Sequence, residues 1–310
     1  MQQQRGIVVV RSVQEMQDYQ ARFAPSWRNQ KEGDDAGLPG VGFVPTMGAL
    51  HAGHVSLVTK ARKHHRCVVA SIFVNPTQFG AGEDLDKYPR TLDRDLAVLE
   101  AAGVQCVFAP GVADMYSKDT LCHIEPVAFS DISEGRARPD FFRGVATVVT
   151  KLFNIVQPTA AYFGQKDISQ CILVQRLVRD LNMPVHIHVC ETMRESDGLA
   201  MSSRNAYLKD SERRAAGILY KALSAAERLC AQHPQGVSRL QVIAAAEAVL
   251  RQEPMVGAIE YVSVASPEHM RELDAVTLAE GAVISSAIRL GSVRLIDNVL
   301  VGAAASKILP

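Results

Sequence analysis

The stretch Val41–Pro76, VGFVPTMGALHAGHVSLVTKARKHHRCVVASIFVNP, decides the fold. An apolar run is followed by a Pro-Thr-Met-Gly-Ala turn, an apolar-periodic segment and a second, β-branched run. This order predicts a strand, a helix and a strand, which is the repeating unit of a parallel sheet. The turn contains GALHAGH, Gly48–His54. Ligands of such sheets bind at the carboxyl ends of the strands, so a ligand site is expected at this turn.

The same alternation continues toward residue 192 and predicts a doubly wound α/β domain over residues 1–192. A first helix is expected around Val13–Phe23, and the polar segment Ser26–Gly40 is expected to be a solvated loop. Further helices are predicted at Leu92–Ala102, Val145–Val156 and Ile168–Leu181, followed by the strand-like runs VQCVFAP, AAYFG and VHIHVCET.

A change of pattern near Met193 predicts a smaller α+β domain over residues 193–310. Asp210 can cap a long helix that runs through Gln232. An apolar stripe on this helix predicts its buried face, and it consists of Leu219, Leu223, Ala226 and Cys230. A second helix is expected near Leu240–Gln252, and strands are expected at IEYVSVAS, AVISSAIRL and VRLIDNVLV.

Composition narrows the possible functions. Lys and Arg together number 33 and Asp and Glu also number 33, so a basic excess typical of nucleic-acid binders is missing. The short basic cluster Lys60–Arg66 is interpreted as the solvated side of a helix. No apolar run is long enough for a signal peptide or a membrane span, which favours a cytoplasmic location. The six cysteines contain no C-x-x-C pair and are expected to be buried thiols.

The glycines of GALHAGH are spaced as in a phosphate-binding loop, but His54 replaces the lysine and Val55 replaces the hydroxyl residue. A helix start favours anions through its dipole by roughly 0.3–1 kcal/mol. Hydrogen bonds from the imidazoles of His51 and His54 to a phosphate could each add about 1.5–3 kcal/mol. A zinc site is the alternative, weakened because no acid or cysteine nearby completes a ligand set.

Four segments of the chain, in order, resemble the pantothenate synthetase family of the H-x-G-H nucleotidyltransferase superfamily. They are PTMGALHAGH (Pro45–His54), SIFVNPTQFGAGEDLDKYPRTLDRD (Ser71–Asp95), VVTKLFNIVQPTAAYFGQKDISQ (Val148–Gln170) and RESDGLAMSSRNAYL (Arg194–Leu208). The resemblance implies a Rossmann-like domain with a C-terminal lid. It also implies a reaction in which ATP activates pantoate as an acyl adenylate and β-alanine then displaces AMP to give pantothenate.

The same resemblance assigns roles to individual residues. His51, His54 and Lys166 would be catalytic, with His54 as the candidate proton donor. ATP would be bound by Met47, Gly48, Ala49, Leu50, His51, Ala52, Gly53, His54, Gly164, Gln165, Lys166, Asp167, Met193, Met201, Ser202, Ser203 and Arg204. Pantoate would be bound by Gln78, Gln170 and Met47, and β-alanine by Gln78, Asn75 and Tyr88. Mg²⁺ is expected to be bound by the triphosphate of ATP, with no protein ligand assigned. The chain is expected to form a homodimer.

Two residues depart from the family pattern, since Gln165 stands for the usual glutamate of GEKD and Phe141 for the usual histidine of RPGHF. Four aspartates of the second block, Asp84, Asp86, Asp93 and Asp95, are interpreted as a solvated acidic loop. A nucleotidyltransferase that acts on a phosphorylated small molecule, and a catalytically silent nucleotide- or metal-binding protein, stay as alternatives. A dinucleotide-dependent oxidoreductase is disfavoured because Gly40-Val41-Gly42 precedes a strand and does not open a helix.

Overall fold

The computed structural model describes residues 6–28 and 38–309 of the chain. Most of the predicted loop Ser26–Gly40, namely residues 29–37, lies outside the described residues. The strands are β1 (Val8–Val10), β2 (Leu38–Thr46), β3 (His65–Ile72), β4 (Cys106–Phe108), β5 (Ala160–Gly164), β6 (His186–Cys190), β7 (Val237–Ser238), β8 (Val256–Ala265), β9 (Ala275–Val276), β10 (Ala282–Leu290) and β11 (Val293–Val301). The α-helices are α1 (Val13–Arg28), α2 (Ala52–His64), α3 (Leu92–Ala101), α4 (Val112–Met115), α5 (Ser133–Ala137), α6 (Phe141–Val156), α7 (Ile168–Asp180), α8 (Asp210–Ala215), α9 (Ile218–Gln232), α10 (Arg239–Leu250) and α11 (Ala304–Ile308).

The chain divides into two compact units. The first unit consists of Met1–Pro126, Asp140–Phe163 and Val174–Cys190, and the second of Val127–Pro139, Gly164–Leu173 and Glu191–Pro310. The domain division between residues 192 and 193 stays a prediction. None of the described helices combines the length and the apolar character that a membrane span requires.

A six-stranded sheet with the order β1-β4-β3-β2-β5-β6 forms the centre of the first unit. Its central strands are parallel, with Phe43 opposite Val69 on one side and Ala161 on the other. Apolar residues of the strands and of α2 form one buried cluster that includes Val44, Val58 and Val107. The predicted doubly wound α/β fold is therefore confirmed. The edge strand β1 was not predicted, because a run of three valines is too short to show a period.

A three-stranded antiparallel sheet with the order β11-β10-β8 forms the second unit together with α9 and α10. Strands β10 and β11 cover the two predicted segments residue for residue. The predicted apolar stripe of α9 is confirmed, since all four of its residues are buried.

The single long helix predicted from Asp210 to Gln232 is wrong, because a turn at Ala216 and Gly217 divides it into α8 and α9. The backbone of Asp197 approaches this turn so closely that a Cβ on Gly217 would lie 2.8 Å from its carbonyl oxygen. The guanidinium of Arg213 also pairs with the Asp197 carboxylate. A tertiary contact therefore interrupts the helix, and the spacing of apolar residues along the helix could not have predicted this contact.

The cysteines form no disulfide, and all six lie in the described part of the chain. Four are buried as expected, whereas Cys190 is half-buried and Cys122 is exposed. The expectation of six buried thiols is therefore wrong for these two.

Candidate active site

The turn between β2 and α2 holds the two predicted histidines in a reciprocal cap of the helix. His51 is the N-cap residue, and its Nδ1 accepts a hydrogen bond from the N–H of Gly53 at 3.1 Å. The Nδ1 of His54 accepts in turn from the N–H of His51 at 3.3 Å. The ring centroids lie 4.1 Å apart. Two imidazoles thus take the places of the Ser/Thr and Glu/Gln side chains of an ordinary capping box.

This arrangement fixes the proton on each neutral ring. A nitrogen that accepts a backbone N–H cannot carry a proton itself, so the proton of each neutral imidazole is on Nε2. Both Nε2–H groups are donors of the kind that a phosphate oxygen accepts. The first turn of α2 therefore presents two imidazole donors from residues three apart in sequence.

A buried carboxylate holds the loop that leads to these histidines. Asp95 is 1% exposed, and its Oδ2 and Oδ1 accept from the N–H groups of Ala49 at 2.8 Å and Leu50 at 2.9 Å. The hydroxyl of Thr91 donates to Oδ2 as well, at 3.1 Å. Gly48 and Ala49 have φ of 84° and 51°, in the left-handed region that favours glycine. The two bonds to Asp95 offset the cost of this conformation at Ala49.

The interpretation of Asp95 as part of a solvated acidic loop is therefore wrong. On α3 this residue lies one turn before the buried Leu99, on the face that packs inward. An acidic residue on the apolar stripe of a helix was the signal that could have identified it.

The backbone of this turn differs from that of a phosphate loop, since its N–H groups donate to protein atoms. Gly48 donates to the hydroxyl of Thr46, Ala49 and Leu50 donate to Asp95, and Gly53 donates to His51. These backbone donors are therefore engaged within the protein, which leaves the imidazole Nε2–H groups as the donors that suit an anion at this turn.

A second group of predicted residues lies after β3. The amide of Asn75 donates to Gln78 Oε1 at 3.0 Å and to the carbonyl of Gly144 at 3.2 Å. Gln78 Nε2 contacts Met47 Sδ at 3.4 Å. The structure thus brings together Met47, Asn75 and Gln78. Tyr88 is buried in the same unit, with its ring against Phe79.

Tyr116 belongs to this group and was not predicted. Its hydroxyl donates to Asn75 Oδ1 at 2.8 Å, and the hydroxyl of Thr77 donates to the same oxygen at 3.0 Å. Burial raises the pKa of the Tyr116 hydroxyl, which keeps it protonated and able to donate. Asn75, 1% exposed, therefore has both N–H groups and its oxygen engaged by protein atoms.

The GQKD motif, Gly164–Asp167, lies in the second unit at the end of β5. Gln165, Lys166 and Asp167 form a short 3-10 turn, and Lys166 Nζ lies 3.5 Å from Asp167 Oδ1. The departure at Gln165 has a partner, since its Nε2 donates to Asn298 Oδ1 at 3.0 Å. Gln170 is half-buried on the first turn of α7.

The MSSR motif, Met201–Arg204, lies in the second unit at the start of another 3-10 turn. Ser202 is the N-cap residue, and its hydroxyl accepts from the N–H of Arg204 at 3.3 Å. The N–H of Met201 donates to the carbonyl of Met193 at 2.9 Å, so these two predicted residues are neighbours. Phe141, the other departure from the family pattern, is buried at the start of α6 with its ring against Phe142.

Metal ligation receives no support from the residues around the turn. Within residues 6–28 and 38–309, no three or more His, Cys, Asp or Glu side chains are grouped so that they could hold a metal ion.

Comparison with known proteins points to the same family as these motifs. A family model described as pantoate-beta-alanine ligase matches residues 8–300. The pantothenate synthetase of Chloroflexus aurantiacus is 53% identical over 259 residues, which cover 83% of this chain and 90% of that protein. The crystal structure of pantothenate synthetase from Thermus thermophilus is 40% identical, with a TM-score of 0.82 and coverage of 98% of this chain and 100% of that one.

A solved structure with bound ligands is also similar. The pantoate-beta-alanine ligase of Francisella tularensis, complexed with β-γ ATP and β-alanine, is 32% identical with a TM-score of 0.73. The similarity covers 95% of this chain and 97% of that one. All three relatives are ligases, which favours a ligase over a nucleotidyltransferase that acts on a phosphorylated small molecule.

Proposed function

The chain belongs to the pantoate–β-alanine ligase family, and from this premise we propose which of its residues carry each half of the reaction. ATP activates the carboxylate of pantoate as pantoyl adenylate and releases pyrophosphate. The amine of β-alanine then attacks the acyl carbon and displaces AMP, which gives pantothenate.

In the first half-reaction a pantoate oxygen bonds to the α-phosphorus while the bond to the bridging oxygen of pyrophosphate breaks. Negative charge grows on the leaving pyrophosphate during this step. Hydrogen-bond donors that are already in position before the reaction therefore lower the barrier. We assign this role to the Nε2–H groups of His51 and His54, each acting as a hydrogen-bond donor whose proton stays on its ring. The observation that carries the assignment is the reciprocal cap, because it fixes both rings and both protons before ATP binds.

We assign the remaining contacts to ATP to the GQKD and MSSR motifs. Lys166 would bring a mobile positive charge to the phosphates, and Asp167 would accept from the ribose or order the turn. Arg204 offers a planar fork for phosphate oxygens, and Ser202 and Ser203 add hydroxyl donors. Backbone approach to the nucleotide would involve Met47, Gly48, Ala49, Leu50, Ala52, Gly53, Gly164, Gln165, Met193 and Met201.

Amide side chains suit pantoate, which carries hydroxyls and a carboxylate, because they can form hydrogen bonds with these groups without burying another charge. We assign pantoate binding to Gln78 and Gln170, with Met47 beside them. Gln78 and Tyr88 would place β-alanine. Asn75 has its polar atoms engaged by protein groups, which suits it to orient Gln78 rather than to contact β-alanine directly.

Three further expectations follow from family membership. Mg²⁺ accompanies the triphosphate and neutralises part of its charge, with no ligand assigned from the protein. The chain acts as a homodimer, and it acts in the cytoplasm.

Pantoate-dependent exchange of pyrophosphate into ATP tests the first half-reaction without β-alanine. His54→Ala should reduce the exchange rate by about 100-fold or more, since it removes a fixed donor to the developing charge. His51→Asn is a sharper variant, because asparagine is a good N-cap but lacks Nε2–H. The His51→Asn variant should keep the N-cap of α2 but lose pyrophosphate exchange.

His64→Asn makes the same chemical change at the other end of α2 and serves as the control. Parent-like exchange in His51→Asn and His54→Ala would remove both histidines from the mechanism. Exchange that requires a phosphorylated compound in place of pantoate would instead favour the nucleotidyltransferase alternative.

A further inference from the structure

Asn298, on β11, is bonded through each of its polar groups although it lies far along the chain from the GQKD motif. It is 1% exposed, and its Nδ2 donates to the carbonyls of Gln165 at 2.8 Å and Lys166 at 3.0 Å. Its Oδ1 accepts from Gln165 Nε2 at 3.0 Å. One side chain therefore holds the backbone of the turn that carries Lys166 by two bonds and the side chain of Gln165 by a third.

The turn needs such external bonds. Gln165, Lys166 and Asp167 form a single short 3-10 turn, a geometry with few and poorly aligned internal hydrogen bonds. The two carbonyls that Asn298 binds are at the start of this turn, and a buried carbonyl without a donor destabilises its local conformation.

Asn298 is itself held by a buried ion pair. Its N–H donates to Asp297 Oδ1 at 2.8 Å, and its carbonyl accepts from Arg194 Nη2 at 3.4 Å. Arg194 makes two hydrogen bonds to the Asp297 carboxylate and lies 3.9 Å over the ring of Tyr220. Arg194 directly follows Met193, whose carbonyl accepts from Met201. The pair Asp297 and Asn298 therefore anchors both the GQKD turn and the segment that leads to MSSR.

We propose that Asn298 is a positioning residue of the ligase reaction, which holds the turn of Lys166 so that the ammonium group meets the phosphates of ATP during pantoate activation. The proposal rests on the proposed role of Lys166. Asn298 acts through the backbone of the turn and does not touch the reacting atoms.

A double-mutant cycle on pantoate-dependent ATP–pyrophosphate exchange tests this. Asn298→Ala should lower kcat by about 10- to 100-fold, since misplacement of a group by about 1 Å costs that much, with KM for pantoate changed by less than about threefold. If Asn298 acts through Lys166, adding Asn298→Ala to Lys166→Ala should lower kcat by less than about another threefold. Losses that multiply in the double variant would overturn the proposal.

Val299→Ala is the matched control, because it removes buried atoms from the next residue of β11 and leaves the bonds to the turn. Its kcat should stay near that of the parent at temperatures well below its unfolding. A loss equal to that of Asn298→Ala would mean general destabilisation and would overturn the proposal.

Amide hydrogen exchange separates this proposal from the role of Lys166. A peptide covering residues 160–168 should exchange faster in Asn298→Ala than in Val299→Ala, at matched stability. Parent-like exchange rates in that peptide would overturn positioning by Asn298. Unchanged kcat in Lys166→Ala, together with faster peptide exchange, would instead reject the assignment of Lys166 and with it the catalytic part of the proposal.

Discussion

Asp95 and Leu50 are joined by a hydrogen bond of 2.9 Å from the Leu50 N–H to Oδ1, while the other carboxylate oxygen accepts from the preceding N–H, that of Ala49. Two successive backbone donors are thus divided between two oxygens of one buried side chain. Only a carboxylate has two acceptor oxygens in this geometry. The loop before the paired histidines therefore depends on a residue outside it.

Asp95→Asn should disorder this loop although it preserves size and shape. An amide nitrogen would face one of the two N–H donors, leaving that donor unpaired at a cost of about 1–3 kcal/mol in the free energy of unfolding. Pyrophosphate exchange should fall by a larger factor than stability alone explains, because both histidines follow the loop. Denaturant unfolding and exchange kinetics measure the two effects.

Thr91→Val is the control for Asp95→Asn, since it removes one hydroxyl bond to the same carboxylate but leaves both loop bonds. It should have less effect on exchange. Equal activity in Asp95→Asn and the parent would show that the loop keeps its conformation without the carboxylate.

His65 makes the stability of the first unit sensitive to acid. Its ring is 3% exposed, and neither nitrogen has a hydrogen-bond partner among the described residues. Burial, with added repulsion from His188 and His64, lowers its pKa from the usual 6.5 to about 4. The ring of Tyr162 lies beside it, and the charges of Lys60 and His186 act on the neighbouring His188.

The sign of the effect follows from proton linkage. Between pH 6.5 and 4 the unfolded chain binds a proton at His65 that the folded chain does not, so stability falls as pH falls through this window. Each pKa unit is worth about 1.4 kcal/mol, which gives a loss of up to about 3 kcal/mol.

His65→Phe should therefore flatten the stability profile between pH 6.5 and 4, and raise stability at neutral pH by removing unpartnered polar atoms. Chemical denaturation at several pH values measures this. His233→Phe, at the C-cap of α9 in the second unit, is a control that should keep the acid sensitivity. An unchanged slope in His65→Phe would mean that another group accounts for it.

Arg294 and Glu134 form another buried ion pair of the second unit. The guanidinium donates to both carboxylate oxygens of Glu134, at 3.0 and 2.7 Å, and to Glu260 at 2.7 Å. Burial acts against the charge on Arg294, but its bonds and charge interactions with Glu134 and Glu260 outweigh this and raise its pKa. The hydroxyl of Tyr261 also donates to Glu134.

Arg294→Met should lower the free energy of unfolding by about 3–5 kcal/mol, because it leaves the Glu134 carboxylate buried without its main partner. Arg294→Met combined with Glu134→Gln should recover part of this loss, since the unpaired charge is then removed. Thermal or denaturant unfolding measures both. A double variant no more stable than Arg294→Met would show that packing of the arginine, rather than the charge, carries the effect.

The sequence pattern predicted the parts of the fold that depend on residues close together in sequence. Strands β10 and β11 and the stripe of α9 follow from alternation and helical spacing alone. The interruption at Gly217 depends on a contact with Asp197. Asp197 precedes the predicted helix in sequence and is not part of its periodic pattern. Local propensity therefore favoured a continuous helix where a tertiary contact prevents one.

The candidate site shows the same division. His51 and His54 could be identified because both lie within one short motif, and their spacing is that of a helix start. For Asp95 the helical spacing could have indicated a buried position, but not its bond to a backbone group 45 residues away. Asn298 could not be identified, since it acts on a backbone group 133 residues away through a contact that no local spacing records. The residues proposed to bind ligands lie in recognisable motifs, whereas the residues that hold those motifs are distant from them in sequence.

Tyr116 gives a final test of how the residues proposed to bind pantoate are organised. Its hydroxyl donates to Asn75 Oδ1 while Asn75 Nδ2 donates to Gln78 Oε1, so the orientation of the Asn75 amide depends on a donor at its oxygen and an acceptor at its nitrogen. Tyr116→Phe removes one donor, and Thr77 still supplies the other. The loss is that of one neutral hydrogen bond, about 0.5–1.5 kcal/mol.

If Asn75 orients Gln78, Tyr116→Phe should raise KM for pantoate by about 2- to 10-fold and leave KM for ATP near the parent value, since about 1.4 kcal/mol corresponds to a factor of 10. Steady-state kinetics with each substrate varied in turn measures both constants. Tyr162→Phe makes the same change at a buried hydroxyl of the first unit that has no hydrogen-bond partner among the described residues, and should alter neither constant. A rise in both KM values with Tyr116→Phe would indicate a general disturbance of the site, whereas no change would mean that Asn75 and Gln78 keep their orientation without the Tyr116 hydroxyl. The pantoate-specific rise is the result that follows from the chain of bonds running from Tyr116 through Asn75 to Gln78.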